Sequence, residues 1–160
     1  MDYFEIEGKN QLFGDITVSG AKNAVLPLMA ASILNDRPLT ITNVPKLSDS
    51  ITMGNLIKEM GGKVSFDQSN ITINPKNLNT PYAPYNLVKT MRASFYVLGP
   101  LIAKFGEAKV SLPGGCAWGP RPVDFHLEGF KKLGIEIALE AGYVHALSLI
   151  HISEPTRRNS

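Results

Sequence analysis

AKNAVLPLMAASIL (21–34) and MRASFYVLGPLIAKFG (91–106) decide the fold, because each opens the same order of elements. Both are apolar runs of helical length with a cation at the start, Lys22 in one and Arg92 in the other. A short strand follows the first, PLTITNVP (38–45). Ile51, Leu56, Ile57 and Met60 then recur at the spacing of an amphipathic helix, which Gly61 and Gly62 end. KVSFDQSNITINP (63–75) reads as a hairpin of two strands. After the second run the order repeats, with strand EAKVSLPGG (107–115), helix VDFHLEGFKKLG (123–134) and hairpin IEIALEAGYVHA (135–146). The copies are offset by about 70 residues.

Each copy is a helix–strand–helix–strand–strand unit whose opening strand comes from the segment before it. ITVSG (16–20) takes that part for the first copy. Pro27 and Gly99 inside the leading helices cost stability relative to alanine, which points to tight helix packing about a shared axis. Alternating helices and strands predict an α/β or α+β domain with sheets outside and helices inside or between them.

The bulk numbers fit one soluble globular unit: 160 residues, 44% hydrophobic and 19% charged. A net charge of +2 gives no basic footprint, so no nucleic-acid partner is expected. Runs such as AVLPLMAASIL (24–34) are too short to span a bilayer, and MDYFEIEGKN (1–10) has neither a basic nor an apolar leader region. No membrane association is expected, and the cytoplasm is the expected compartment. A single cysteine allows no internal disulfide, and no metal-ligand spacing is present.

LSLIHISEPTRRNS (147–160) departs from all that precedes it, with no turn signal before it and no periodic face. It resembles the conceptual translation of a transposase adapter used to build sequencing libraries. The segment is therefore expected to be a non-native tail, with native sequence stopping near Ala146 and the protein continuing beyond it. Any role for His151 is discounted with it.

Four elements could hold phosphate or move protons. SGAKN (19–23) sets Lys22 and Asn23 at a helix N-terminus, where backbone N–H groups favour an anion, although an ordinary Ser/Gly cap gives the same letters. TMRAS (90–94) sets Arg92 at the corresponding helix start of the second copy. Arg121 lies between Pro120 and Pro122, so a stiff backbone pre-orders its guanidinium for a bidentate phosphate contact. Cys116 follows two glycines whose amides can form an anion nest, surroundings that lower a thiol's pKa; the alternative is a buried, inert thiol. His126, two residues after Asp124, is either a packing or surface residue or a catalyst.

GKNQLFGDITVSGAKNAVLPLMAASIL, TMRASFYVLGPLIAKFG and LPGGCAWGPRPVDFHLEGFKKLG together resemble the N-terminal portion of the enolpyruvyl transferases that act on UDP-N-acetylglucosamine, in register over residues 1–146. The resemblance implies an inside-out α/β barrel, here incomplete, with two of the three repeat units of one domain (about 22–75 and 91–146). Residues 1–21 would belong to the other domain. Apolar helix faces around 24–34 and 95–103 would then lie bare.

The implied partners are phosphoenolpyruvate and UDP-N-acetylglucosamine, with no cofactor and no metal. By position, Lys22, Arg92 and Arg121 would hold the phosphate and carboxylate of phosphoenolpyruvate, and Asn23 would contact the sugar. Cys116 would be the mobile-loop thiol that helps protonate the enol carbon and that fosfomycin alkylates. Arg121, Pro122, Val123 and Asp124 would line the uridine diphosphate site, with His126 close by. Trp118 stands where that family usually has a smaller aliphatic residue. Two rivals are the shikimate-pathway enolpyruvyl transferase and a non-catalytic nucleotide-sugar binding or thiol-sensing module. The loop GGCAWGPRPVD argues against the former.

Overall fold

In the computed structural model, residues 3–9, 11–89, 91–113 and 123–149 are described. Helix α1 (Lys22–Ala31) forms because Val25, Leu26, Met29 and Ala30, three and four apart, bury on one face. It tightens into a 3₁₀ turn (Ser32–Leu34), where the Ser32 hydroxyl donates to the Met29 carbonyl at 2.6 Å. Strand β1 (Leu39–Ile41), helix α2 (Ser48–Glu59) and the hairpin β2 (Lys63–Asp67) and β3 (Asn70–Asn74) complete the first copy. The second begins with a two-residue strand, β4 (Tyr82–Ala83), and a single helical turn, α3 (Tyr85–Val88). A 3₁₀ segment (Arg92–Val97), α4 (Leu98–Phe105), β5 (Glu107–Ser111), α5 (Asp124–Lys132), β6 (Ile135–Glu140) and β7 (Tyr143–Ser148) follow.

Each copy contributes one sheet. One is antiparallel in the order β1-β3-β2, the other runs β4-β5-β7-β6 with only β4 and β5 parallel. β5 lies beside β7 of its own hairpin as β1 lies beside β3. Each sheet turns one face inward: Ile41, Ile71 and Ile73 from the first, Ala108, Val110, Val144 and Ala146 from the second. They meet Met53, Leu56 and Ile57 of α2 and Leu98, Leu101 and Ile102 of α4 in one continuous core. Helices lie between and sheets outside, as the periodicity predicts.

Five expectations need correction. ITVSG forms no strand; Ile16 and Val18 are largely exposed and the outer edge of β1 carries no partner strand among the described residues. The chain instead passes the end of β1 at Gly20, where an added Cβ would collide with the Asn43 carbonyl oxygen. Residues 91–106 are not one helix either. Pro100 has no N–H for the carbonyl four residues earlier and its ring would clash there, so α-helix restarts at Leu98 and places Pro100 in a first turn that needs no such bond.

An added Cβ at Gly99 would stand 3.5 Å from the Phe130 ring, an ordinary contact, so tight packing is not what makes it glycine. A closer approach within a helix is at Gly54, where a Cβ would stand 2.7 Å from the Phe66 ring. The helix faces around 24–34 and 95–103 are mostly buried rather than bare. Phe125 (87% exposed) and Leu133 of the second copy are exposed in their place. The last hairpin also runs on, with β7 extending through Ser148.

β4 is short and is held from the side. Tyr82 and Tyr143 stack with centroids 5.8 Å apart, their hydroxyls 3.1 Å from each other, and Tyr143 Oη also accepts the Tyr85 N–H at 3.3 Å. The contact with the Tyr82 hydroxyl and the hydrogen bond from the Tyr85 N–H lower the Tyr143 pKa, while the contact with Tyr143 raises that of Tyr82.

Lys104 of α4 ties the copies together. Its Nζ donates to the carbonyls of Ile33 (2.9 Å) and Asn35 (3.0 Å), just past the end of α1. Asp36 lies 3.7 Å away but is 96% exposed, so that ion pair adds little. Lys104→Met should lower the unfolding free energy by roughly 1–3 kcal/mol, because two carbonyls lose a charged donor. Asp36→Asn should change it by less than about 0.5 kcal/mol. Urea titration of both variants separates the carbonyl contacts from the ion pair.

Candidate active site

Lys22 is the first residue of α1, and Ala21 before it offers no side chain to the first-turn amides. Ala24 and Val25 both donate back to the Ala21 carbonyl, at 3.1 and 3.0 Å. The amides of Lys22 and Asn23 therefore remain without an acceptor among the described residues. Pro27 has no N–H for the Asn23 carbonyl, so that group also lacks its helical partner. An uncapped helix start is positive, and a lysine there adds charge of the unfavourable sign. A bound anion resolves both.

Asp49 resolves part of it already. Its carboxylate lies 2.8 Å from Lys22 Nζ, with the side chains 49% and 28% exposed for Lys22 and Asp49. A pair this open is worth at most about 1 kcal/mol, so it orients more than it stabilises. Asp49 sits in the first turn of α2, where a carboxylate is favoured.

The second copy offers the same residue types. Arg92 opens its 3₁₀ segment and Asp124 opens α5, whose N-cap Val123 is buried. Arg92 and Asp124 are exposed and form no ion pair among the described residues. The His126 N–H donates to the Val123 carbonyl at 3.0 Å, and its ring lies 6.1 Å from that of Phe95, tilted by 59°. Phe95 belongs to the segment that Arg92 opens, and α1 packs on that segment and on α2. Lys22, Asp49, Arg92 and His126 are thus linked through packed neighbours.

Cys116, Arg121 and Pro122 lie outside the described residues. Asp49 is the residue that reading the sequence missed. The signal was available: Asp124 occupies the same place in the second copy, at the start of the helix after the first strand. A groove of about 920 Å³ on the outer face of the four-stranded sheet is lined by Tyr82, Lys109, Ala138 and His145. None of the candidate residues lines it.

Sheets wrapped around helices, repeated in one chain, are the architecture of the enolpyruvyl transferases. The chain matches the enolpyruvyl transferase NikO from Streptomyces tendae with a TM-score of 0.74, covering 89% of this chain and 31% of that one at 23% identity. Residues 6–157 match the family EPSP synthase (3-phosphoshikimate 1-carboxyvinyltransferase), and the chain belongs to that family. Among curated relatives, the UDP-N-acetylglucosamine 1-carboxyvinyltransferase of Acinetobacter guillouiae is 55% identical over 146 residues, and that of Baumannia cicadellinicola subsp. Homalodisca coagulata 53%. Each match covers 91% of this chain and 35% of the relative, so the chain spans about a third of their length. No helix among the described residues is long and apolar enough to cross a membrane.

Proposed function

We propose that the chain is part of an enzyme that transfers the enolpyruvyl group of phosphoenolpyruvate to the 3′-hydroxyl of UDP-N-acetylglucosamine and releases phosphate. The observation that carries this reading is 53–55% identity over 146 residues to relatives of that name. The uncapped, cationic start of α1 supports it, as a place suited to a phosphate or carboxylate. The product would enter peptidoglycan synthesis in the cytoplasm, and through it cell shape and division.

In this reading the sugar oxygen bonds to C2 of phosphoenolpyruvate, the hydroxyl proton leaves, and C3 gains a proton. The resulting phospholactoyl ketal then loses a C3 proton as the C2–O bond to phosphate breaks, which restores the double bond. Lys22, Arg92 and Arg121 hold the anionic groups, preorganised so that little rearrangement accompanies the charge changes. Asn23 contacts the sugar. Cys116 supplies the proton to C3. Arg121, Pro122, Val123 and Asp124 line the uridine diphosphate site with His126 close by.

A full-length chain for testing is residues 1–146 joined to the remaining two-thirds of the Acinetobacter guillouiae relative. This chimera should release phosphate from phosphoenolpyruvate only when UDP-N-acetylglucosamine is present. Release with 3-phosphoshikimate instead would assign the acceptor that the family's name carries. A folded chimera inert with both acceptors would remove the reading.

Fosfomycin tests the thiol separately. The Cys116 sulfur should open its epoxide, adding one inhibitor mass to the chimera. Cys116→Asp should abolish the adduct while sparing much of the activity, since a carboxylic acid can still deliver a proton. An adduct on the Asp variant by intact-mass spectrometry would exclude Cys116 as the alkylated group.

A further inference from the structure

Resting on that reading, we infer that Asp49 is a positioning residue that aims the Lys22 ammonium at the reacting phosphoenolpyruvate. A lysine ammonium is a point charge on a flexible four-carbon stem and has no intrinsic direction. Lys22 is half exposed, and its own helix offers it no acceptor, because the start of α1 presents donors. The Asp49 carboxylate at 2.8 Å takes one of its three N–H bonds and leaves two for a ligand. Asp49 is fixed in turn by its place in the first turn of α2, which packs on α1.

The two copies show why this is more than a surface ion pair. Both place a cation at the start of the leading helical segment and an aspartate in the first turn of the next long helix. Only the first copy closes the pair; Arg92 and Asp124 make none among the described residues. The planar guanidinium of Arg92 carries its own geometry, so it needs no carboxylate to direct it. Lysine does need one, and the lysine has it. The carboxylate also repels an arriving anion, so its benefit lies in orientation during turnover rather than in ground-state affinity.

The test is a double-mutant cycle in the full-length chimera. Asp49→Asn should lower kcat with phosphoenolpyruvate about 10- to 100-fold, the scale of a misplaced catalytic group. The KM for UDP-N-acetylglucosamine should stay within about twofold, because the carboxylate acts on the other substrate's lysine. In a Lys22→Ala background Asp49→Asn should cost nothing further, because the residue acts through the lysine. Asp49→Glu should recover part of the loss.

Unchanged kcat in folded Asp49→Asn, or an equal loss with and without Lys22, would overturn the inference. If Asp49→Asn does not fold by circular dichroism, Asp49→Ser decides: reduced kcat at unchanged UDP-N-acetylglucosamine KM supports it, and wild-type kcat overturns it. Wild-type turnover of Lys22→Ala would remove Lys22 from the site and overturn this inference with it, whereas a folded, unsubstituted chimera inert with both acceptors would sink the functional reading itself. Loss with Lys22→Ala but not with Asp49→Asn sinks this inference alone.

Discussion

The 160-residue chain, given phosphoenolpyruvate and UDP-N-acetylglucosamine, should release no phosphate above the buffer rate. It spans 35% of the length of its curated relatives, and in the proposed reaction two substrates must be held against groups from more of the protein than this. Positioning alone supplies roughly 7–11 kcal/mol of such a barrier, and a partial site forfeits most of it. The chain also exposes Phe4, Ile6, Leu12, Phe13, Ile16 and Val18 along one irregular segment, so aggregation should accompany inactivity. Phosphate released only in the presence of the nucleotide sugar would refute the first expectation. A chain that stayed monomeric by light scattering at high concentration would refute the second.

Lys22→Ala in the full-length chimera should lower kcat/KM for phosphoenolpyruvate by roughly 100- to 1000-fold, the usual effect of removing one preorganised charge-stabilising donor. That corresponds to about 3–4 kcal/mol of transition-state stabilisation. Affinity for UDP-N-acetylglucosamine, measured by calorimetry, should stay within about twofold, because a residue spent on one substrate need not touch the other. Stability should hardly change, since the pair with Asp49 is half open to water and worth at most about 1 kcal/mol. Equal loss of both substrates together with a lower unfolding midpoint would mark Lys22 as a structural residue instead.

The repeat was legible because its signals are local. Leu56, Ile57 and Met60 mark a buried stripe and are fully buried in α2 or at its end, while Ile51, read into the same stripe, is exposed. The hairpins were legible for the same reason, since alternation sets which face turns inward. ITVSG failed because its letters satisfy strand propensity while pairing depends on a neighbour that propensity cannot see. The split of 91–106 was readable from Pro100 alone. Among the candidate site residues, Lys22 and Arg92 stand out in the sequence from their helix starts. Asp49 could not be found so directly, because an aspartate beside two serines at a helix start reads as ordinary capping chemistry. Its meaning came only when folding set it against a residue 27 positions earlier.

Lys104 has a bearing on how the molecule comes apart. It belongs to the second copy but grips two carbonyls of the first, and α1 packs on the opening segment of that second copy. The copies are therefore duplicated in pattern but not autonomous in energy. Melting either copy costs the other some of these contacts, so the chain should unfold in one cooperative transition where its periodicity would suggest two. The same pattern is laid down twice, and the contacts between its copies withdraw the independence of each.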